Sequence, residues 1–217
     1  MNWPGAIEGV LASLEENEEA EEFLGVLGKT LEEAKSSEVR LAVLRGLTKT
    51  LVLLDRPEGA DAYVEEILSR APGDRTAFLH RRRLLEKRDD AEGLRRLLEK
   101  RLEVSEPDEQ PDILFNLGNI YRDNGDLAAA SSAYERLLNM DADNTGALDA
   151  RADLAYQAGE FELAQDLYLR LGRGPSSLGE GQLLYRRGEI AEALGEERVA
   201  VELYKEAVET NPSLRVG

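Results

Sequence analysis

The sequence predicts an all-α protein built from antiparallel helix pairs stacked one on the next. Apolar residues recur at helical spacing, as in Leu41, Leu44, Leu47, Leu51 and Leu54, which places them on one helix face. Alternating polar and apolar runs, the mark of a half-buried strand, do not occur, and Val, Ile and Thr are sparse. A set of small and aromatic residues recurs at steps of 34 and 36 residues, the sign of a repeat architecture.

Composition bounds what such a chain does. Of its 217 residues 42% are hydrophobic and 33% charged, enough to bury a core and escape disorder. The net charge of −17 disfavours duplex nucleic acid, since phosphate binding needs a basic face. No cysteine and a single histidine, His80, are present. Disulfides, thiolate metal sites and a His-rich metal or catalytic centre are therefore ruled out. No metal, cofactor or enzymatic activity is expected. The N-terminus lacks a basic region before its apolar residues, which Glu8 interrupts, so it does not read as a signal peptide. No run approaches the ~18 apolar residues of a membrane helix, and the expected location is cytoplasmic, without a membrane partner.

Proline breakers at 57, 72, 107, 111, 175 and 212 divide the chain into helices of about 12–15 residues. Residues 1–40 read as a helix pair, GAIEGVLASLEE and EAEEFLGVLGKTLEEAK, and form a degenerate repeat or N-terminal cap. Residues 41–217 form the array. Its first copy, 41–74, carries Leu44, Leu47, Thr48, Leu51, Ala60, Val64, Ile67 and Pro72. The second, 75–110, carries Phe78, Leu85, Leu94 and Leu98, with Arg82 where a small residue is usual. The copies at 111–144, 145–180 and 181–214 agree closely. Each opens on an apolar residue (Leu114, Leu148, Leu184), followed by a small one (Gly118, Ala152, Gly188) and a turn glycine (Gly125, Gly159, Gly195). An alanine (Ala130, Ala164, Ala200) and a tyrosine (Tyr134, Tyr168, Tyr204) complete each set. Residues 172–181, GRGPSSLGEG, read as the loop that lengthens one step from 34 to 36.

These residues, in this order, resemble the tetratricopeptide repeat family. The last copy also has that family's proline near the repeat end, Pro212, where the copy at 111–144 has Ala142. The resemblance implies an α-solenoid, a right-handed superhelix of helix pairs A and B. The small residues would let B approach A, the tyrosines would fill the space between repeats, and the glycines would end helix A in a left-handed cap. The concave surface, lined by A helices, would hold a partner.

Carried onto that surface, the resemblance points to Arg45 and Lys49 in residues 41–74, and to His80 and Arg83 in 75–110. It points to Asn116, Asn119 and Arg122 in 111–144, to Asp149, Asp153 and Tyr156 in 145–180, and to Tyr185, Arg186 and Glu189 in 181–214. The candidates run from basic to acidic along the chain, with two asparagines suited to gripping a peptide backbone. The Lys and Asn clamp by which some family members hold a C-terminal carboxylate is matched only in part, since His80 replaces an Asn. A groove on a protein scaffold, taking a peptide or helix of another protein, is the expected function. A regulatory or assembly module of a larger multidomain protein is the alternative, because the last helix ends at NPSLRVG without a solvating cap. Self-association through that end is the other way to cover it.

Residues 80–101, HRRRLLEKRDDAEGLRRLLEKR, form a basic block. Window 75–101 holds ten Lys or Arg against five acids. It is the only segment to which RNA binding could be referred, but the interspersed acids favour i,i+4 pairing along a solvated helix. The run DADNTG, 141–146, opens like a calcium loop but has Ala152 where the closing Glu belongs.

Overall fold

The computed structural model describes residues 3–14, 17–172 and 179–214. Among them are twelve α-helices and no strand. Two compact units divide the chain, Met1–Ser105 and Glu106–Gly217. The first holds α1 (Trp3–Ser13), α2 (Asn17–Glu33), α3 (Ser37–Leu53), α4 (Asp61–Arg70), α5 (Arg75–Lys87) and α6 (Ala91–Val104). The second holds α7 (Gln110–Asp123), α8 (Leu127–Met140), α9 (Thr145–Gln157), α10 (Phe161–Leu171), α11 (Glu180–Ala193) and α12 (Glu197–Thr210).

In the first unit α1 and α2 both pack on α3, and α3 to α6 pack in chain order. Ile7, Leu27, Val43 and Leu47 make one core cluster. Leu44, Leu51, Val64 and Ile67 make the next. Gly46 sets the approach of α1 to α3, because a Cβ there would lie 2.8 Å from Ile7. Helix α3 starts at Ser37, four residues ahead of the repeat step. Ser36 caps it, accepting from the Val39 amide at 3.4 Å. Arg40, on the added turn, forks onto Glu66 of α4 at 2.5 and 3.0 Å.

In the second unit each helix packs on the next in sequence, around Leu148, Ala152, Leu167, Tyr168, Leu171 and Ile190. The small residues behave as expected, with Ala130, Ala164 and Ala200 all buried. Tyr168 shares its core cluster with Leu183 and Ile190 of the following pair, as expected, and the tyrosines also pack within their own pairs. The Tyr134 ring lies across Gly118 of its own pair, where a Cβ would stand 2.4 Å from its Cε1. The Tyr204 ring lies across Gly188 in the same way, at 2.6 Å. The phenol decides this placement: it must find a polar partner when the ring is buried, and the preceding A helix offers one.

The turns within the pairs share one backbone motif. At Gly125, Gly159 and Gly195 the chain turns through φ of 80°, 75° and 76°. The following amides, of Asp126, Glu160 and Glu196, donate to carbonyls of Tyr121, Ala155 and Ala191. That bond satisfies a carbonyl the helix end leaves open. The first unit uses the same bonds, Arg56 to Leu51 and Asp90 to Leu85, but Asp55 (φ 55°) and Asp89 (φ 53°) hold the left-handed position. N-terminal caps follow at Asp74, Asp90, Asp126 and Asn144, whose side chains accept from the amide three residues on. This explains the DADN run: Asn144 caps α9. Residues 173–178 of the expected long loop lie outside the described residues.

Candidate functional site

In the first unit Arg45 and Lys49 sit one turn apart on α3. Asp74 anchors Arg45 at 2.7 Å while also capping α5, so this cation is tied to a helix terminus. Lys49 stands 3.7 Å from Glu8 of α1, with both side chains open to water, an arrangement worth ~0–1 kcal/mol. A hollow of about 340 Å³ lies here, lined by Glu8, Arg45, Thr48, Lys49 and Thr76 among others. Arg83, on α5, is exposed and has no ion-pair partner among the described residues. His80 is half-buried and its Nε2 lies 3.1 Å from the Pro57 carbonyl, which engages it with the turn between α3 and α4. Sequence reasoning passed over Val52 and Leu79, which continue the helical rows of Lys49 and Thr76. Both are about half exposed, 48% and 50%. Exposed apolar residues at groove spacing were the available signal.

In the second unit Asn116 donates back to the Asp112 carbonyl of its own helix at 2.6 Å. Asn119 accepts from the Tyr134 hydroxyl at 2.8 Å. Its neighbour Arg122 pairs with Asp123 at 3.2 Å. On α9, Asp153 accepts the Tyr168 hydroxyl. Burial, then that carboxylate, pushes the Tyr168 phenol well above its ordinary range. Arg186 of α11 lies over the Tyr156 ring of α9, 5.8 Å from its centre, and pairs with Glu189 at 3.2 Å. Tyr185 tilts against Tyr204 with ring centres 5.4 Å apart. The structure therefore brings Asp153, Tyr156, Arg186 and Glu189 together on neighbouring helices, and Asp149 precedes Asp153 by one turn. These carboxylates outnumber the one arginine, so this face is acidic. Arg45, Lys49 and Arg83 give α3 and α5 three cations, two of which Asp74 and Glu8 already meet.

The basic block is largely neutralised. Arg81 and Arg88 converge on Asp61, Lys87 reaches Glu58, Arg82 reaches Glu86, and Arg95 and Arg96 share Glu92. Paired cations are not available to release counterions from phosphate, the main source of nucleic-acid affinity. No helix of the described residues is long and apolar enough to cross a membrane.

A chain of helix pairs with backbone-closed turns, and with small residues at the A–B crossings of its second unit, is an all-α solenoid of the helical-repeat class. The model of the tetratricopeptide repeat family matches residues 111–144 and 181–214, which identifies those two stretches as tetratricopeptide repeats. Solved structures with this fold include YrrB, a TPR protein with an unusual peptide-binding site, at 16% identity and a TM-score of 0.59, covering 87% of this chain and 93% of that one. MamA aligns at 16% identity and a TM-score of 0.56, over 77% of this chain and 95% of its own. Pseudomonas aeruginosa PilF aligns at 18% identity and 0.53, over 97% and 90%. No curated protein matches the chain.

Proposed function

We propose that this chain is a protein-interaction scaffold that holds an extended or helical segment of another protein against its A-helix faces. The observation that carries the reading is the segregation of charge on those helices. Arg45, Lys49 and Arg83 present cations beside exposed Val52 and Leu79, whereas Asp149, Asp153 and Glu189 present carboxylates beside Tyr156 and Tyr185. A segment that fits the first unit is acidic and apolar, and a segment that fits the second is basic. The YrrB structure is described as having a peptide-binding site, which agrees with this use of the fold. Residues 41–214 serve as five repeats and residues 1–40 as an N-terminal pair in this reading. It needs no catalytic group, and the ion pairs within the basic block count against RNA as the ligand.

The test begins with a pull-down from native lysate. The bound protein is then titrated by calorimetry against the wild type and two charge-reversed variants, Arg45→Glu/Lys49→Glu and Asp149→Lys/Asp153→Lys. Reversal of a steering and pairing charge should weaken binding by about tenfold or more, with an affinity that falls as salt rises. Unchanged affinity in both variants would remove the groove assignment.

A further inference from the structure

The A-helix face of the second unit already holds a guanidinium where a cation of the partner would go. Tyr156, in the last turn of α9, is half-buried. Phe161 of α10 meets its ring edge on, with centres 5.8 Å apart and planes at 65°. Arg186 of α11 covers the ring, 5.8 Å from its centre. Aromatic faces attract cations, and arginine takes such places more often than lysine. The repeat itself does not ask for a cation here: the same step holds Asn116 in α7 and Ala150 in α9.

Arg186 is held weakly. Its one polar contact among the described residues is Glu189, one turn along its own helix, at 3.2 Å, and its side chain is 37% exposed. Partly exposed pairs within a helix contribute little. Burial works against its charge, but Glu189, with Tyr168 and Asp153 behind it, holds its pKa above the ordinary arginine value. The place therefore favours a guanidinium, whichever chain supplies it. Asp149, Asp153 and Glu189 accompany it. Arg151 and Arg187 lie at the step of buried Leu117, and Arg151 is taken up by Glu160 at 3.6 Å.

We infer that Arg186 sets the specificity of this face: it is a built-in stand-in for an arginine of the partner segment, which displaces it from the Tyr156 ring and pairs with Glu189 and Asp153. The inference rests on the basic segment proposed above for the second unit and narrows it from basic to arginine-bearing. A lysine has no plane to lay on the ring and gains less from displacing Arg186.

Fluorescence anisotropy on the full chain tests this. The probes are a fluorescein-labelled peptide of alternating arginine and serine and its counterpart with lysine for arginine. Arg186→Gln frees the place and should tighten binding of the arginine peptide about fivefold, the scale of one cation–π contact with its ion pair. The lysine peptide should gain about twofold or less. Arg186→Lys keeps the charge but removes the guanidinium plane, and should shift both peptides in the same direction by less. Arg198→Gln, at an exposed site on α12, removes an equal charge elsewhere and should change neither affinity. Adding Tyr156→Leu to Arg186→Gln should abolish the preference for arginine. Circular dichroism checks that each variant is folded. A loss of affinity in Arg186→Gln, an equal gain for both peptides, or an equal gain from Arg198→Gln overturns the inference. A wild type that binds both peptides with no gain in Arg186→Gln refutes it and leaves the basic-segment reading intact, whereas no binding by any form refutes both.

Discussion

Replacing Gly118 by alanine puts a methyl carbon 2.4 Å from Cε1 and 2.7 Å from Cζ of Tyr134. Carbon atoms pack at about 3.5–4.0 Å, so the ring must retreat by about 1 Å. It has little room to do so, being fully buried and tethered by its hydroxyl to Asn119 at 2.8 Å. Overpacking of this size costs about 1–3 kcal/mol. Alanine returns about 1 kcal/mol through its helix propensity. The net expectation is destabilisation of about 1 kcal/mol, and about 2–3 kcal/mol for Gly118→Thr, which adds bulk and gains less propensity. The chain itself points to the compensating change. At equivalent positions it pairs Thr48 with Val64 and Arg82 with Leu98, against Gly118 with Tyr134 and Gly188 with Tyr204, while Ala152 with Tyr168 stands between, so the residues larger than alanine on helix A go with a smaller one on helix B. Gly118→Thr/Tyr134→Val should therefore be more stable than the sum of its single variants by about 1 kcal/mol. Urea unfolding of the full chain followed by circular dichroism gives the four stabilities. Gly118→Ala more stable than wild type by the propensity gain alone, together with an additive cycle, would show that the ring is not confined as described.

Other consequences follow from the turns and ion pairs. Asp55→Gly and Asp89→Gly should each stabilise by about 1 kcal/mol, since an L side chain in the left-handed region costs about that much. Gly125→Ala should destabilise by a similar amount, although nothing lies within 4 Å of the added methyl; thermal melts read all three. Arg40, with help from Arg70, lowers the Glu66 carboxyl to about 2. Because that value is below the unfolded one, the pair's contribution is present above about pH 4.5 and is lost as pH falls toward 2. Glu66→Gln should lower stability at pH 7 by about 1 kcal/mol or less and leave it unchanged at pH 2, as urea midpoints at the two pH values would show.

The second unit was legible because its residues have few alternative uses. Gly125, Gly159 and Gly195 are glycine where φ is positive, and Gly118 and Gly188 are glycine where a ring passes. The first unit was harder to read. Asp55 and Asp89 take the left-handed position, which aspartate adopts less readily than glycine, so nothing in the sequence marks them. Arg101 reads as one more cation of a basic block, and only its burial against Phe78 separates it from its neighbours. The candidate site divides along the same line. Residue type and spacing placed Arg45, Lys49, Asp149 and Asp153 on A helices, since one period suffices for that. The partners of Asn119, His80 and Arg186 come from other helices or turns, and side-chain pairing across 15 to 30 residues of sequence is not written in a helical period.

The five turns that close helix pairs do so through main-chain amides and carbonyls, with the side chains of Asn124, Ala158 and Leu194 taking no part in the closure bonds. Because the chain also has no cysteine, a thiol introduced at the exposed Asn124 or Ala158 would be the sole reactive sulfur in the molecule. Dyes, spin labels or crosslinkers attached there would report on a captured partner while leaving the helices to their own ends.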